Sequence, residues 1–225
     1  MHAPVSNLFN YTGKTIANNE LHMTELPLTR VAASDAKQRH IRSAIRNTQS
    51  LAAIAHVARD EDIAALTTLL SNPDISQPIY TLPDRIDHDS VASFIHQHLD
   101  ERKRGEGLLM VSTDEHGRAI AYYDIQVWPQ WASCELGGAI DSDYQNTRQG
   151  SSGALQAFTW LFDVIGVDLI CETAALDNVR TARLLDRIGF TYMGEINSKL
   201  PGGGLRPSRY WELTKNDWQG LQSKP

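Results

Sequence analysis

The run Arg148-Gln149-Gly150-Ser151-Ser152-Gly153 constrains this chain more than any other stretch. An apolar, strand-like segment precedes it, and residues at helical spacing, Leu155, Phe158, Phe162 and Ile165, follow it. That spacing predicts an amphipathic helix opened by the glycines. A helix N-terminus leaves backbone N–H groups unpaired and carries partial positive charge. Glycine there removes Cβ atoms and lets an anion come close to the backbone. The unit from Cys134 to Phe190 thus reads as a strand, a phosphate-cradling loop, a helix, a strand over Asp168 to Leu176, and a second helix closed by Gly189-Phe190. Inside the first strand, Gly137 and Gly138 mark either a bulge or a close approach of another backbone.

Glu135-Leu136-Gly137-Gly138-Ala139-Ile140, the run Arg148 to Gly153, and the segment from Asn178 through Thr181, Leu184 and Leu185 to Ile188-Gly189-Phe190 come in one order and at one spacing. Together they resemble the acetyl-CoA-binding core of the GNAT acyltransferase superfamily, and most of all its ribosomal-protein N-terminal acetyltransferase branch. The resemblance spans roughly residues 51–215. It implies an α/β (α+β) fold: a mixed, largely antiparallel sheet of six to seven strands with helices on both faces. It implies an N-acetyltransferase that moves an acetyl group from acetyl-CoA, its co-substrate, to a primary amine by direct attack. The acceptor would be a protein N-terminus or a small-molecule amine.

The resemblance also distributes roles. Arg148, Gln149, Gly150, Ser151, Ser152 and Gly153 would hold the pyrophosphate, although one glycine is displaced from the family's register. The strand bearing Gly138, Ala139 and Ile140 would splay from its neighbour, admit the pantetheine arm and polarise the thioester carbonyl with a backbone N–H. Thr181 stands where this branch has a serine that serves the leaving thiol; the tyrosine of other branches would fall at Leu185. Asn178 would bond the pantetheine amides or simply cap its helix. Glu135 is the first candidate for the base, directly or through a water, with Asp124, Tyr123 and Glu172 behind it. A glutamate that some relatives carry after Gly-Phe has no clear match near Asn197 to Leu200. The first two helices of the fold and their connection line the acceptor side, which points to Ile75–Arg85 for specificity. Trp128 and Trp131 are further candidates to line that cleft.

The rest of the chain reads in support. Residues 1–50 form an N-terminal extension with a possible edge strand at Glu25–Val31 and a helix from Ser34, its N-cap, to Thr48. Residues 51–218 form the acetyltransferase-like domain and 219–225 a tail. Strands are predicted at Leu51–Val57, Gly107–Thr113, Arg118–Trp128, Ala132–Ile140, Thr191–Ser198 and Ser208 to about Asp217, with helices at Arg59–Leu70 and Asp87–Arg104. Leu200–Pro207 reads as a loop, and Asp177 as a possible cap for the helix after it.

A net charge of -6 offers no electrostatic footprint for nucleic acid. No apolar run approaches a membrane span of ~20 residues, and the N-terminus carries no signal-peptide pattern. Cys134 and Cys171 fall in strands, as buried thiols of a reducing compartment would. The expectation is a cytoplasmic protein, possibly a homodimer. No metal is expected: the cysteines have no partner at ligand spacing, and His96 and His98, two apart on a helix, face different ways. Two other readings compete. Gly150 to Gly153, with Glu172 about twenty residues on, has the outline of a dinucleotide fingerprint, but lacks the preceding β-α-β repeats. The other is a non-catalytic acyl-CoA-binding module on the same fold.

Overall fold

The computed structural model describes residues 24–144, 149–200 and 203–223. The chain opens with an arm from Thr24, then α1 (Asp35–Asn47), β1 (Ser50–Leu51), β2 (Ala55–Val57), α2 (Ile63–Leu70), α3 (Pro73–Ser76) and α4 (His88–Arg104). The sheet continues with β3 (Gly107–Thr113), β4 (Ala119–Trp128) and β5 (Ser133–Ile140). After α5 (Gln149–Trp160) come β6 (Leu169–Ala175), α6 (Val179–Ile188), β7 (Thr191–Lys199), β8 (Leu205–Thr214) and α7 (Lys215–Gln222).

Among the described residues eight strands form one sheet in the order β1-β2-β3-β4-β5-β6-β8-β7. Every pairing is antiparallel except β5 with β6. That excludes the doubly wound parallel sheet of a dinucleotide enzyme. The sheet has one strand more than the six to seven expected. The sequence reading ran Leu51 to Val57 as one strand, but Ala52 at φ 47 turns the chain back and splits it into the β1–β2 hairpin.

Helices cover both faces. Ile41 and Ile45 of α1, Phe158 of α5, Leu185 of α6 and Trp218 of α7 share one core with Met110, Tyr123 and Ile170. Leu66 of α2 and Val91, Phe94 and Ile95 of α4 pack with Leu109, Val111 and Tyr122 on the other face. Alternation along each strand thus fixes which side chains meet which helices. Ser34 caps α1 as expected, accepting from the Lys37 N–H at 3.2 Å. Asp87 caps α4, accepting from the Ser90 N–H at 2.9 Å while Ser90 Oγ answers the Asp87 N–H.

Three local readings change. Leu155 is 38% exposed, whereas Phe158, Phe162 and Ile165 are buried. A π-turn over Leu161–Ile165 adds a residue to the helical turn and rotates the later stripe away from Leu155. The last strand stops at Thr214, because the Thr214 hydroxyl accepts from the Asp217 N–H at 3.1 Å and starts α7. The arm is not a strand. It crosses the open face of β7 and β8, where the Thr24 N–H reaches Asn197 O at 3.0 Å and the Leu28 N–H reaches the Tyr210 hydroxyl at 3.0 Å.

Candidate functional site

Strands β5 and β6 pair only through Ser133, Cys134 and Glu135. Beyond Glu135, β5 continues beside β4 to Ile140, and β6 continues beside β8 to Ala175. The two strands open into a wedge, as the resemblance implies. Gly138 lies inside that wedge with φ 140, and a Cβ there would drive into the backbone oxygen of Tyr122. The register with β4 stays regular through Tyr123 and Gly138, so the glycine marks close backbone packing and not a bulge. Ala139 and Ile140 follow it along the exposed stretch of β5.

Gly150 to Gly153 lie inside α5, which begins at Gln149, so the phosphate-cradling loop of the sequence reading is the first turns of a helix. Arg148 lies outside the described residues, as do the side chains of Gln149 and Ser151. Ser152 is exposed and its Oγ accepts from Gln156 Nε2 at 3.1 Å. Gly153 makes room for β4: a Cβ there would stand 3.1 Å from the Tyr123 hydroxyl. Asn178, not Asp177, caps α6, with its amide oxygen accepting from the Thr181 N–H at 3.0 Å. Thr181 is half-buried in the first turn of α6, just past the end of β6.

Glu135 is the last residue of β5 to pair with β6. Its Oε1 accepts from the Thr173 hydroxyl at 2.6 Å, and that oxygen in turn meets the Tyr80 hydroxyl at 2.8 Å. Burial pushes the Glu135 carboxyl up, the Thr173 hydroxyl pulls it back and the charge of Asp124 adds to the push; the balance lies at about 7. The other carboxylates and phenol of the sequence reading divide by face. Asp124 shares the Glu135 face and is held by His98 Nε2 at 3.0 Å. Tyr123 points into the opposite core. Glu172 follows Cys171 and precedes Thr173 on β6, so it too takes the opposite face, buried, with no partner for Oε1 among the described residues. Burial and the Glu135 charge hold its carboxyl well above the usual range.

Three residues here were not singled out from the sequence: Thr173, Tyr80 and His98. Thr173 is a polar residue in an otherwise apolar stretch of β6, two places after Cys171, which is a visible signal. Tyr80 lies in the segment marked for specificity. His96 and His98 do face different ways: His96 reaches out to Asp60 at 2.9 Å, whereas His98 is buried.

Both His98 ring nitrogens meet acceptors, Nδ1 at Phe94 O (2.8 Å) and Nε2 at Asp124, which requires the imidazolium. Burial pulls its pKa down, but the hydrogen bond and charge of Asp124, with Phe94 O and Glu101, outweigh it and raise the pKa to about 9. A raised histidine stabilises the fold fully below its unfolded value of about 6.5, and loses that contribution as pH rises through about 9. Asp124→Asn is therefore expected to destabilise the protein by up to roughly 3 kcal/mol at pH 6, with the gap to wild type closing toward pH 9.5. Chemical denaturation of both proteins across that range checks it, and a gap independent of pH would contradict the ion pair.

A cleft of about 460 Å³ opens on the Glu135 face, between residues 76–86 and the β7–β8 turn. Ile79, Tyr80, Leu82 and Ile86 line one side and Leu200 the other, with Asp84 as the one charged residue in the lining. Trp128 and Trp131 lie elsewhere: Trp128 packs on the Cys171–Tyr210 cluster and Trp131 sits beneath Arg30.

Residues 53–191 match the family model described as the acetyltransferase (GNAT) domain. Comparison by sequence with curated proteins gave no match. Among solved structures, the chain is similar to ribosomal-protein-S5-alanine acetyltransferase from Vibrio fischeri, at a TM-score of 0.61 and 16% identity over 76% of this chain and 94% of that one. RimJ of Mycobacterium smegmatis, solved with CoA-disulfide, matches at 0.61 and 16% identity, over 72% and 82%. Spermidine N-acetyltransferase from Vibrio cholerae, solved with CoA and spermine, matches at 0.61 and 14% identity, over 73% and 96%. No helix among the described residues is long and apolar enough to cross a membrane.

Proposed function

Given that the chain belongs to the GNAT acetyltransferase family, we propose that it acetylates an amine carried on an apolar body, such as a peptide N-terminus, with Glu135 as the base. The single observation behind this reading is that the β5–β6 wedge opens at Glu135, on the face that holds the apolar cleft. Acetyl-CoA is the co-substrate and supplies an acetyl group activated as a thioester. The residues present fit it. The wedge offers an unpaired β5 edge from Gly138 onward. The first turns of α5 offer N–H groups for a pyrophosphate. The orphaned Glu172 Oε1 is a buried acceptor that suits an amide N–H of the pantetheine arm.

In this reading Arg148 to Gly153 hold the pyrophosphate, and Asn178, already committed as a cap, keeps its amide NH₂ for pantetheine. Backbone N–H groups in Gly138–Ile140 polarise the thioester carbonyl. The amine reaches the thioester from the cleft, Glu135 takes its proton, and the Thr181 hydroxyl serves the departing thiol. A polyamine with three or four charges needs several carboxylates, and the cleft lining has only Asp84. That favours an acceptor with one cationic end and an apolar body over spermidine, the substrate named for the Vibrio cholerae relative.

Thermal stability with acetyl-CoA, NAD and NADP tests the co-substrate first. At ~100 times its dissociation constant, acetyl-CoA is expected to add about 2.7 kcal/mol, and the nucleotides nothing. Thiol release is then followed with an alanine-terminated apolar peptide, phenethylamine and spermidine as acceptors. Faster turnover of the first two supports the acceptor class, and faster turnover of spermidine overturns it. Acetyl-CoA binding with no turnover of any amine would return the chain to the binding-module reading.

A further inference from the structure

The hydrogen-bond chain behind Glu135 has a direction. A carboxylate only accepts, so the Thr173 hydroxyl spends its one proton on Glu135 Oε1 at 2.6 Å. The Tyr80 hydroxyl, 2.8 Å from Thr173 Oγ1, must then donate to it. Tyr80 stays a donor: burial and the Glu135 charge raise its phenol above the usual value. Its ring is held as well, with the Arg206 guanidinium 5.0 Å above the centroid. The same ring lines the acceptor cleft. One side chain therefore joins the cleft wall to the carboxylate, through a residue that comes from a different strand.

We propose that Thr173 and Tyr80 are positioning residues for Glu135: their hydroxyls, in series, occupy Oε1 and leave Oε2 as the atom that takes the proton of the acceptor amine. The inference rests on Glu135 being the base. On proton transfer the N–H bond breaks, its electron pair stays on nitrogen, and an O–H bond forms at Oε2. Oε1 then becomes the carbonyl oxygen and still accepts from Thr173, so the chain keeps one orientation in both states of the carboxyl. Neither hydroxyl touches the acceptor's reacting nitrogen in this scheme. They fix the rotamer and the basicity of the group that does.

The groups that face Glu135 are Asp124 from β4, Cys171 and Glu172 from β6 and Tyr80 from the α3–α4 connection, with Arg206 of β8 beyond the Tyr80 ring. Thr173 is the one that donates a side-chain hydrogen bond to the carboxylate. Its removal should therefore move the titration of Glu135 upward, since a lost donor to the charged form disfavours that form.

The test is the ¹³Cδ chemical shift of Glu135, assigned by its disappearance in Glu135→Gln and followed from pH 4 to 10 with CoA bound. The wild-type midpoint is expected at about 7. Thr173→Val should raise it by about one pH unit, Tyr80→Phe should raise it less, and Thr173→Ser should restore it. An unmoved midpoint in Thr173→Val and in Tyr80→Phe overturns the proposal. Should Thr173→Val fail to fold, Tyr80→Phe and Thr173→Ser decide alone, since each keeps the buried shape. A failure of the base assignment shows differently: Glu135→Gln would keep wild-type acetylation of the alanine-terminated peptide whatever the midpoints do.

Discussion

Gly138→Ala is expected to weaken acetyl-CoA binding at least ~10-fold and to lower stability by about 2 kcal/mol or more. Two independent costs act at this position. Its φ of 140 lies where side chains other than glycine are strained, and a Cβ would collide with the backbone oxygen of Tyr122. That oxygen cannot rotate away as a side chain would. Relief therefore requires β5 to move off β4, and such a movement shifts the β5 edge that faces the wedge. Gly137→Ala is the control. Its Cβ would meet Asp124 Cβ at 3.6 Å, an ordinary contact, and its φ lies outside the left-handed region. Calorimetric titration with acetyl-CoA and chemical denaturation of both variants separate the effects. If Gly138→Ala binds and unfolds like Gly137→Ala, the close packing of β5 on β4 does not shape the wedge.

Local signals were legible in the sequence where one residue decides one turn. Ser34 and Asp87 each carry the helix start they announce. Gly107–Thr113 runs as one strand from end to end, because an apolar run bounded by Gly107 and the Asp114–Gly117 turn has no other way to pair. What stayed hidden depends on contacts distant in sequence or on backbone states that few residues advertise. Ala52 takes a positive φ that nothing in an alanine predicts, and it makes the eighth strand. The π-turn that turns Leu155 outward is likewise invisible to a 3.6-residue period. At the site, Glu135 and the wedge glycine were legible because they share one strand. Thr173 and Tyr80 were not, since they meet Glu135 across separations of 38 and 93 residues along the hydrogen-bond chain. His98 reaches Asp124 across 26 residues, and a histidine inside a helix does not announce a buried acid.

Glu135→Gln is expected to lower kcat/KM for the acceptor amine by about 10²- to 10⁴-fold while leaving acetyl-CoA affinity within about twofold. The amide keeps the shape and can still accept from the Thr173 hydroxyl, so the change removes proton-accepting power and little else. The pH profile supplies the sign. The base works only when ionised, so wild-type activity should fall below about 7, the value to which burial raises this carboxyl. In the variant that limb should vanish and leave only the ionisation of the amine. Stability should move in the opposite direction. A carboxyl raised in the folded state is a liability that grows as pH climbs from its unfolded value of 4.5 through about 7. Glu135→Gln should therefore be no less stable than wild type at pH 4, apart from the altered hydrogen bond, and more stable at pH 8. A strained or desolvated group retained at a working site often carries this trade between stability and activity. A variant that loses activity and stability together at pH 8 would make Glu135 a structural carboxylate. One that loses activity while gaining stability there would make it the base.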